Sequence, residues 1–421
     1  MVADLHHHLA QHTYAVVLAG GRGTRLCELT DHRAKPAVPF AGKLNIIDFT
    51  LSNCVNSGVR SIAVLTQYKS QSLIRHIERG WSFLAASLGE YVDVVPAQQQ
   101  MGEEWYTGTA NALYQNLELI REAAPKHVLV LGGDHIYKMD YSVMLAEHVA
   151  RGAKATVACI EVAAEAACEF GVMTVDADAQ VLSFHEKPTC PPAGEVPGAP
   201  VLASMGIYAF DADYLIELLE RDAANPDSLH DFGHDIIPWL VRNDGVYAHR
   251  FRDSCVNMVD GRPYWRDVGT VDAYWEANMD LTQVVPELNL YDDDWPILSQ
   301  QRQLPPVKFV FDEEGRRGMA VASLVSGGCI ISGATVRRSI LFAKVRIAEG
   351  SVIEDSLLLP NVVVGRDVHL RRAIIDKHCR LPDRFSAGID PLADRERGYR
   401  ITERGITLVT PAMLGQPTKP G

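Results

Sequence analysis

Three features are missing from this sequence, and each absence excludes a class of protein. Its eight cysteines include no Cys-x-x-Cys pair and are scattered along the chain, which argues against a zinc site or a disulfide scaffold and predicts reduced thiols in a cytoplasmic protein. No apolar run approaches the ~20 residues of a membrane span, so we expect no membrane partner. The net charge is −13 and no long basic run occurs, so we expect no nucleic-acid partner.

The length of 421 residues, with 47% hydrophobic content, allows two domains, each with its own core. Residues 1–13 are too polar for a signal peptide and are predicted to form a flexible lead-in. Over 14–283, short β-branched runs alternate with helical patterns, which predicts an α/β domain with a Rossmann-like, mostly parallel sheet. Prolines and acidic residues interrupt 284–306, interpreted as a linker, and 307–421 is predicted to form a second domain.

Branched aliphatic residues recur about every six positions in the second domain, with occasional slips. Glycine and charged residues fill the turns between them. A sixfold period is typical of a parallel β-helix, in which each flat side contributes one inward aliphatic per coil. A β-sandwich of ordinary short strands remains the alternative. The repeating residues are Leu341, Ile347, Ile353, Leu358, Val364, Leu370, Ile375 and Leu381.

A glycine-rich turn follows the first predicted strand. An apolar run leads into Gly20, Gly21 and Gly23, and the cations Arg25 and Lys35 come after it. Glycines in such a turn often serve only to connect a strand to a helix, because they tolerate crowding and positive φ. The turn can also present backbone N–H groups to phosphates, and the two cations suit a triphosphate or pyrophosphate. The spacing matches neither the Rossmann nor the P-loop signature.

Two aspartates are candidate metal ligands. Asp134 follows the predicted strand Val128–Leu131, and in an open sheet ligands bind where the carboxyl ends of strands meet. Its carboxylate either caps the following helix or holds Mg²⁺ together with substrate phosphates. Asp267 by itself is better explained by a structural loop anchored by Trp265. Paired with Asp134, it becomes the second candidate ligand.

A Glu186-Lys187-Pro188 sequence follows the predicted strand Val181–Phe184. A lone Glu-Lys pair is usually a solvated ion pair of little energetic value. Here the proline is expected to hold the chain extended, so that Lys187 projects as a fixed point charge toward a phosphate. The proline-rich stretch from Pro188 to Pro200 is predicted to be a surface loop.

Seven motifs are spread over the first domain. They are Gly20–Leu26 with Lys35-Pro36, Trp105–Ala110, Gly133–Asp140, Phe170–Met173, Ser204–Tyr208, Asp231–Asp235 and Tyr264–Thr270. Together they resemble the sugar-nucleotide pyrophosphorylases, and within them the bacterial ADP-glucose pyrophosphorylases. The resemblance runs from about Tyr14 to the C-terminus. It implies a left-handed β-helix and the transfer of an adenylyl group from ATP to glucose 1-phosphate, releasing pyrophosphate, as the first step of glycogen biosynthesis.

The resemblance also implies a role for particular positions. Arg25, Lys35 and Asp134 are expected to be catalytic, and Asp134 with Asp267 to hold Mg²⁺. The residues expected to bind glucose 1-phosphate are Tyr106, Gly171, Glu186, Lys187 and Ser204. Those expected to bind the nucleotide are Gly20, Gly21, Gly23, Thr24, Gly108 and either Gln98 or Gln99.

Regulation and assembly are implied as well. Members of the family are typically homotetramers. Glycolytic intermediates raise their activity and AMP, ADP or phosphate lowers it, and these effectors bind between the two domains. Members that favour fructose 1,6-bisphosphate carry basic residues where this chain has His32, Pro39 and Asn45. Fewer fixed cations favour fructose 6-phosphate or pyruvate as activator. The candidate effector ligands are His32, Arg33, Asn45, Arg397 and Arg400; the last two are equally well explained as solvated surface charges.

Three other functions are weighed against this one. The same chemistry on another nucleotide gives UDP- or dTDP-glucose, but Trp105–Ala110, Asp231–Asp235 and the β-helix favour ADP-glucose. A non-catalytic regulatory subunit is disfavoured because Arg25, Lys35, Asp134 and Lys187 are all present. An acyltransferase acting through the β-helix needs a histidine base, for which His369 and His378 are the nearby candidates; both are interpreted as ordinary surface or turn residues.

Overall fold

The computed structural model describes residues 8–21, 23–98, 105–189, 200–256 and 258–418. Arg22 of the glycine-rich turn, Gln99 and most of the proline-rich loop predicted from Pro188 to Pro200 lie outside these ranges. Within the predicted lead-in, residues 8–11 form a helical turn, and Leu9 and Ala10 are buried. This part of the lead-in is therefore packed onto the domain that follows it.

The first domain combines a nine-stranded sheet with helices on both faces. Its strands, including four in two small sheets, are Thr13–Leu18 (β1), Pro39–Phe40 (β2), Leu44–Asn45 (β3), Ser61–Thr66 (β4), Tyr91–Pro96 (β5), His127–Gly132 (β6), His135–Tyr137 (β7), Ala155–Val162 (β8), Gly171–Val175 (β9), Val181–Glu186 (β10), Val201–Asp211 (β11), Tyr247–Arg250 (β12) and Trp265–Asp267 (β13). Its α-helices are Ile47–Asn56 (α1), Gln71–Gly80 (α2), Thr109–Tyr114 (α3), Leu117–Ala123 (α4), Tyr141–Ala150 (α5), Ala212–Ala223 (α6), Ile237–Asn243 (α7) and Val271–Asp280 (α8).

Shorter helices complete this domain. The 3₁₀ helices are Thr24–Thr30, Lys35–Ala37, Ala86–Leu88, Ala164–Glu169 and Phe251–Asp253, and Phe232–Ile236 is a π-helix. Asp140 caps α5, because its side chain accepts a hydrogen bond from the Ser142 N–H. Asp134, for which a cap was the alternative explanation, remains available for another role. No helix within the described ranges combines the length and apolarity that crossing a lipid bilayer requires.

The main sheet confirms the Rossmann-like prediction and is mixed in direction. β6, β1, β4 and β5 are parallel neighbours, and their carboxyl ends meet at one rim. β11 runs antiparallel to β6, β8 and β9, and β10 antiparallel to β9, so two of the nine strands run against the other seven. A register shift in β11 between Ser204 and Tyr208, with Gly206 at φ +67°, bends this strand at the same rim.

The second domain is a parallel β-helix, as the hexad pattern predicts. Three parallel sheets form its faces, and Leu341 pairs with Leu358, which pairs with Ile375, so each coil takes 17 residues. All eight repeating aliphatics are buried in one core, which rules out the β-sandwich alternative. The slips in the period arise because one step of each coil has five residues instead of six.

The elements of this domain are short, as the triangular coils require. Its strands are Lys308–Val310 (β14), Met319–Val321 (β15), Leu324–Val325 (β16), Ile330–Ser332 (β17), Thr335–Arg337 (β18), Ile340–Leu341 (β19), Arg346–Ile347 (β20), Val352–Glu354 (β21), Leu357–Leu358 (β22), Val363–Val364 (β23), His369–Arg371 (β24), Ala373–Ile375 (β25), Arg380–Leu381 (β26), Ser386–Ala387 (β27), Arg400–Ile401 (β28) and Thr407–Val409 (β29). A helix, Pro391–Glu396 (α9), and a 3₁₀ helix, Ala412–Leu414, follow β27 and β29 respectively.

An apolar cluster joins the two domains. Phe40, Phe49 and Tyr274 of the first domain are buried in one cluster with Phe342 and Leu359 of the second. The predicted linker also packs closely, since Ser299 donates a hydrogen bond to the buried Asp48 carboxylate at 2.7 Å. The domains therefore share a continuous core, and neither is tethered loosely to the other.

Candidate active site

A cleft of about 580 Å³ opens at the rim where β1, β4 and β6 end. Residues after all three strands line it, and the bend in β11 contributes Gly206 and Tyr208. The sequence-based expectation that the loops after β1 and β6 share one rim is confirmed. The predicted residues that line the cleft are Gly20, Gly21, Gly23, Thr24, Arg25, Lys35, Tyr106, Gly108, Asp134 and Glu186.

The glycine-rich turn forms one wall of the cleft. Gly23 adopts φ +61°, and a Cβ there would lie 3.0 Å from the Cβ of Lys35. Its carbonyl accepts hydrogen bonds from the Leu26 N–H and the Thr30 hydroxyl, which start the 3₁₀ helix. Glycine at this position is therefore required both by the backbone angle and by the close approach of Lys35.

Lys35 lies between two carboxylates at the base of the cleft. Its Nζ donates to Asp134 Oδ2 at 3.0 Å and to Asp267 Oδ1 at 2.6 Å. The two aspartates meet because β7 pairs with β13, which places Asp267 opposite His135. Trp265 packs on the His135 ring and anchors the loop that carries Asp267. The structural role expected for Trp265 is therefore compatible with a place for Asp267 in the charged cluster.

Burial and neighbouring charges shift the pKa values of Lys35 and Asp134 in opposite directions. Burial favours a lower pKa for Lys35, but Asp134 and Asp267 outweigh it and raise the pKa above its ordinary value. Burial favours a higher pKa for Asp134, but Lys35 and His135 hold that pKa well below its usual range. Burial lowers the pKa of His135. At neutral pH the lysine is therefore charged and Asp134 is ionised.

Arg25 completes the charged end of the cleft. Its Nη1 donates to Glu169 Oε2 at 2.7 Å and its Nη2 to Asp267 Oδ2 at 3.1 Å. A Cβ on Gly269 would lie 2.8 Å from that guanidinium, so glycine leaves room for the contact. The guanidinium is half exposed and can exchange these carboxylates for an incoming anion.

The donor set fits a divalent metal ion. Asp134 and Asp267 direct carboxylate oxygens toward one point, the Lys35 ammonium, and Asp134 lines the open cleft. Hard cations of the Mg²⁺ kind are usually held by one or two carboxylates together with substrate phosphates. The ammonium at that point shows that the carboxylates already hold a positive charge between them.

The opposite end of the cleft is built around Glu186. A Cβ on Gly233 would lie 2.5 Å from its Oε2 and one on Gly171 would lie 2.8 Å away, so both glycines let the carboxylate pack against backbone. Burial raises the pKa of Glu186, and Asp231 acts in the same direction. Asp231 is held in place by Thr109, whose hydroxyl donates to its Oδ2 at 2.9 Å. This end offers a partly buried carboxylate as hydrogen-bond acceptor.

Gly108 has a steric requirement of its own. A Cβ at this position would lie 2.2 Å from the carbonyl oxygen of His230. The same carbonyl accepts the N–H of Ala110 at the start of α3, so it cannot move away cheaply. Glycine here joins α3 to the segment before the π-helix and closes the cleft wall.

Five predicted site residues do not line the cleft with the others, although one of them, Asp267, contacts Lys35 at its base. Lys187 is 65% exposed, and its Nζ lies 3.5 Å from Glu186 Oε1. Its backbone has φ +43°, so the expectation of an extended chain before Pro188 is wrong. The Lys187 N–H donates to the Phe170 carbonyl at 3.0 Å and tightens the end of the β9–β10 pair. Ser204 is buried beside the bend in β11, Gly171 lies behind Glu186, and Gln98 is exposed.

Several cleft residues were not singled out from the sequence. Gln67 directly follows β4, and its amide donates to the Tyr106 carbonyl at 3.3 Å. Its position at a strand end was the available signal, because neighbouring parallel strands end at the same rim. Glu169 gave no such signal, since its contact with Arg25 joins distant parts of the chain. Eight further lining residues belong to the motifs quoted from the sequence but were given no individual role there: Thr107, Thr109, Gly206, Tyr208, Asp231, Phe232, Gly233 and Gly269.

A separate, smaller cavity of about 30 Å³ lies between the domains. His32 and Arg33 line it together with Asp376 and Lys377, so two candidate effector ligands meet there. Burial and neighbouring arginines, Arg33 first among them, lower the pKa of Lys377 to about 8 despite Asp376.

The other three candidate effector ligands do not line this cavity, and one of them pairs with a residue that does. Arg400 is paired with Glu28, which also lines the cavity, at 2.5 Å between Nη2 and Oε1. Arg397 donates to the Ser386 carbonyl. The Asn45 N–H donates to Asp48. Neither Arg397 nor Asn45 lines the cavity.

Comparison with known proteins gives both domains a match. Residues 14–284 match the nucleotidyl transferase family model, and residues 305–409 match the GlmU-like C-terminal hexapeptide model. A glucose-1-phosphate adenylyltransferase from Nitrosospira multiformis is 60% identical over 410 residues, 97% of this chain and 96% of that protein. Proteins of the same description from Dechloromonas aromatica and Nitrosomonas europaea are 59% and 60% identical over 98% and 97% of this chain, and the match covers 94% of each relative.

Proposed function

The chain belongs to the nucleotidyl transferase family, among its glucose-1-phosphate adenylyltransferases, and we propose that its cleft joins ATP and glucose 1-phosphate to give ADP-glucose and pyrophosphate. The observation that carries this assignment is Lys35, hydrogen-bonded to both Asp134 and Asp267 in a glycine-lined cleft. The reaction is the first step of glycogen biosynthesis. The hexapeptide domain is a left-handed β-helix.

The reaction displaces one phosphate oxygen by another. An oxygen of the glucose 1-phosphate phosphate attacks the α-phosphorus of ATP, a new P–O bond forms, and the bond to the β-phosphate oxygen breaks to release pyrophosphate. The nucleophile is already an anion, so little proton transfer is needed. The protein has to align two anions that repel each other and to neutralise the charge that gathers on the leaving group.

Lys35 and Arg25 are the cations placed for that task. In the free protein both are held by carboxylates, Lys35 by Asp134 and Asp267, and Arg25 by Glu169 and Asp267. The glycine-rich turn that precedes both residues lines the same cleft, so a triphosphate can come close to its N–H groups. We assign the triphosphate to this end, with Arg25 and Lys35 facing the departing pyrophosphate.

Nucleotidyltransferases of this kind use a divalent metal ion, and Mg²⁺ is our proposal for this chain. Asp134 and Asp267 would hold it. When bound, the ion would neutralise phosphate charge and help to orient the triphosphate. The two carboxylates are already brought together by Lys35, and an ion held between them would take the place of its ammonium, which would turn to the phosphates.

The sugar phosphate is assigned to the end built around Glu186. Its partly buried carboxylate, kept in place by Gly171 and Gly233, is suited to accept hydrogen bonds from sugar hydroxyls. Tyr106 lines the same cleft, and Ser204 stands beside the bend in β11. Lys187, whose ammonium lies next to Glu186, is positioned to meet the sugar's phosphate at the cleft mouth.

Replacing Lys187 tests this assignment. We expect Lys187→Ala to raise the KM for glucose 1-phosphate about 10–100-fold, the loss of one charge-assisted hydrogen bond, while kcat and the KM for ATP change little. Steady-state kinetics with each substrate varied in turn provides the measurement. Lys308→Ala, which removes another exposed lysine far from the cleft, is the control. An unchanged sugar-phosphate KM would remove Lys187 from the site.

Gly233→Ala tests the Glu186 end. The new Cβ would lie 2.5 Å from Glu186 Oε2 and must push the carboxylate aside. We expect the KM for glucose 1-phosphate to rise at least about tenfold with the KM for ATP nearly unchanged, since one hydrogen bond to a charged group is lost. Thermal unfolding reports whether the fold is intact. A comparable rise in both KM values would show that the Glu186 end is not specific to the sugar phosphate.

Regulation is proposed at the interdomain cavity. Fructose 6-phosphate or pyruvate would activate, and AMP, ADP or phosphate would inhibit. The support is the group of cations around Lys377, whose pKa is lowered by burial and by Arg33, so that an incoming anion would relieve repulsion there. The cavity is small, and a sugar phosphate would have to open its rim. An activator screen in which fructose 1,6-bisphosphate alone worked would contradict this choice.

Assembly and location are also proposals. We place the protein in the cytoplasm, where its cysteines stay reduced; the seven that the structure describes are free thiols. A homotetramer would explain the exposed apolar side chains Val284, Val285 and Tyr291 near the domain junction. Light scattering coupled to gel filtration tests the oligomeric state.

One assay distinguishes the proposed function from its alternatives. Purified chain is incubated with glucose 1-phosphate and each of ATP, UTP and dTTP in turn, and pyrophosphate release is measured with and without each activator. Release with ATP far above the other nucleotides supports adenylyl transfer. Preference for UTP or dTTP would identify the related sugar nucleotides, and no release under any condition would identify a regulatory subunit.

A further inference from the structure

A second cluster of ligand-type side chains lies far from the cleft. His127 begins β6, Asp211 ends β11 directly opposite it, and His148 is in α5. The cleft is at the carboxyl end of β6, so this cluster is at the other edge of the sheet, about 17 Å away along the strand. Nothing in the adenylyl-transfer mechanism uses these three residues.

The donor atoms of this cluster converge. His127 Nδ1 lies 3.2 Å from Asp211 Oδ1, and His148 Nε2 lies 3.5 Å from the same oxygen. One donor atom from each of the three residues lies within 4.8 Å of the donor atoms of the other two. In a tetrahedral Zn²⁺ site with bonds near 2.1 Å, ligand atoms are about 3.4 Å apart. Two of the three separations are therefore close to what such a site requires.

The two imidazole nitrogens that face Asp211 make no well-aligned hydrogen bond, although Asp211 Oδ1 lies 3.2 Å from His127 Nδ1 and 3.5 Å from His148 Nε2. His127 Nδ1 and His148 Nε2 are both buried, and the His148 side chain is only 1% exposed. A nitrogen buried without a hydrogen bond is costly unless something else satisfies its lone pair. A bound cation does so.

A contact at the other ring nitrogen of His148 fixes the orientation of its imidazole. Its Nδ1 lies 2.8 Å from the Thr156 hydroxyl in β8. With Nδ1–H donating to that oxygen, Nε2 carries the lone pair and points at Asp211. Metal-binding histidines typically have such a partner on the ring nitrogen that does not bind the metal, because it sets the tautomer and ring position.

We propose that His127, His148 and Asp211 form a binding site for a Zn²⁺-like transition-metal ion, separate from the active site. Two imidazoles and one carboxylate suit Zn²⁺ or Co²⁺ better than Mg²⁺, which prefers oxygen ligands. Asp211 is 47% exposed, so the ion can enter from solvent and a water molecule can take the fourth position. Bound there, the ion would fasten β6, β11 and α5 together.

The experiment measures metal binding directly. The starting protein carries His6→Ala, His7→Ala and His8→Ala, because three consecutive histidines could bind metal by themselves. It is stripped with a chelator, and Zn²⁺ is titrated in by calorimetry without nucleotide; Co²⁺ is titrated in parallel for its absorption spectrum. We expect one Zn²⁺ per chain, a four-coordinate Co²⁺ spectrum, a Tm raised by about 3 °C or more, and no displacement by excess Mg²⁺.

Two variants and a control decide the outcome. Asp211→Asn, at a half-exposed position, and His127→Gln should each weaken Zn²⁺ binding at least tenfold and abolish the rise in Tm. The exposed His185→Gln in β10 should bind like the starting protein. His148 is left unchanged because its burial makes misfolding a rival explanation. Absence of stoichiometric binding, or equal affinity in Asp211→Asn and the starting protein, would overturn the proposal.

Discussion

Asp134→Asn should lower kcat about 10²–10³-fold while leaving both KM values within a few-fold of wild type. The substitution keeps the shape of the side chain but removes the negative charge that Lys35 Nζ contacts at 3.0 Å. At the proposed metal site, one carboxylate would then remain to hold the divalent ion and to fix Lys35 against the triphosphate. Losing one preorganised electrostatic group from a phosphoryl-transfer site typically costs this much turnover. Steady-state kinetics with saturating Mg²⁺ provides the measurement.

Asp140→Asn is the matched control for this experiment. Asp140 belongs to the same sequence motif, but its carboxylate caps α5 through the Ser142 N–H and does not line the cleft. Its kcat should match wild type, with at most about 1 kcal/mol lost in stability. Turnover near wild type in Asp134→Asn, with the protein folded, would show that Asp134 neither holds the metal nor positions Lys35.

Asp376→Asn should destabilise the protein by about 3–5 kcal/mol. Arg33 in the first domain is 2% exposed, and its Nη2 donates to both carboxylate oxygens of Asp376 in the β-helix at 2.8 Å. Its Nε and Nη1 are buried without a hydrogen-bonding partner. Removing the only carboxylate that pairs with Arg33 in the described structure leaves a buried, uncompensated charge, which costs this much in other proteins. The midpoint of guanidinium unfolding and the Tm measure the loss.

Two further proteins separate charge from packing. Glu276→Gln breaks an exposed pair with Arg404 across the same domain interface and should cost no more than about 1 kcal/mol, because water already screens that pair. The double variant Arg33→Met with Asp376→Leu removes both charges and should recover most of the stability. If Asp376→Asn is no less stable than Glu276→Gln, the buried pair does not hold the domains together.

Much of the molecule could be predicted from local sequence patterns. The glycine-rich turn after an apolar run located the cleft wall, since few residues other than glycine tolerate φ +61° beside the Lys35 Cβ. The hexad pattern predicted the β-helix, because inward aliphatics of successive coils must stack. The pairing of Asp134 with Asp267 was predicted as a metal site, and β7–β13 pairing brings the two together.

Other features could not be read from local patterns. Lys187 was expected on an extended chain because proline follows it, but the hydrogen bond of its N–H to Phe170 closes the β9–β10 pair and forces φ +43°. Arg33 was predicted as a candidate effector ligand, and the structure buries it against Asp376, 343 positions away, a partner that no local pattern indicates. Asn45 and Arg397 were proposed for the same site and do not line it.

The sequence by itself determined the two kinds of domain, the glycine-rich turn that lines the cleft, and which charged residues were candidates for the site, because these depend on residue type and spacing within a few dozen positions. The tertiary structure alone decided which charges meet: Lys35 with two aspartates, Arg25 with Glu169, Arg33 with Asp376, and two histidines with Asp211. Each of these contacts joins residues far apart in the chain. The energy of an ion pair depends on distance and burial, and folding sets both.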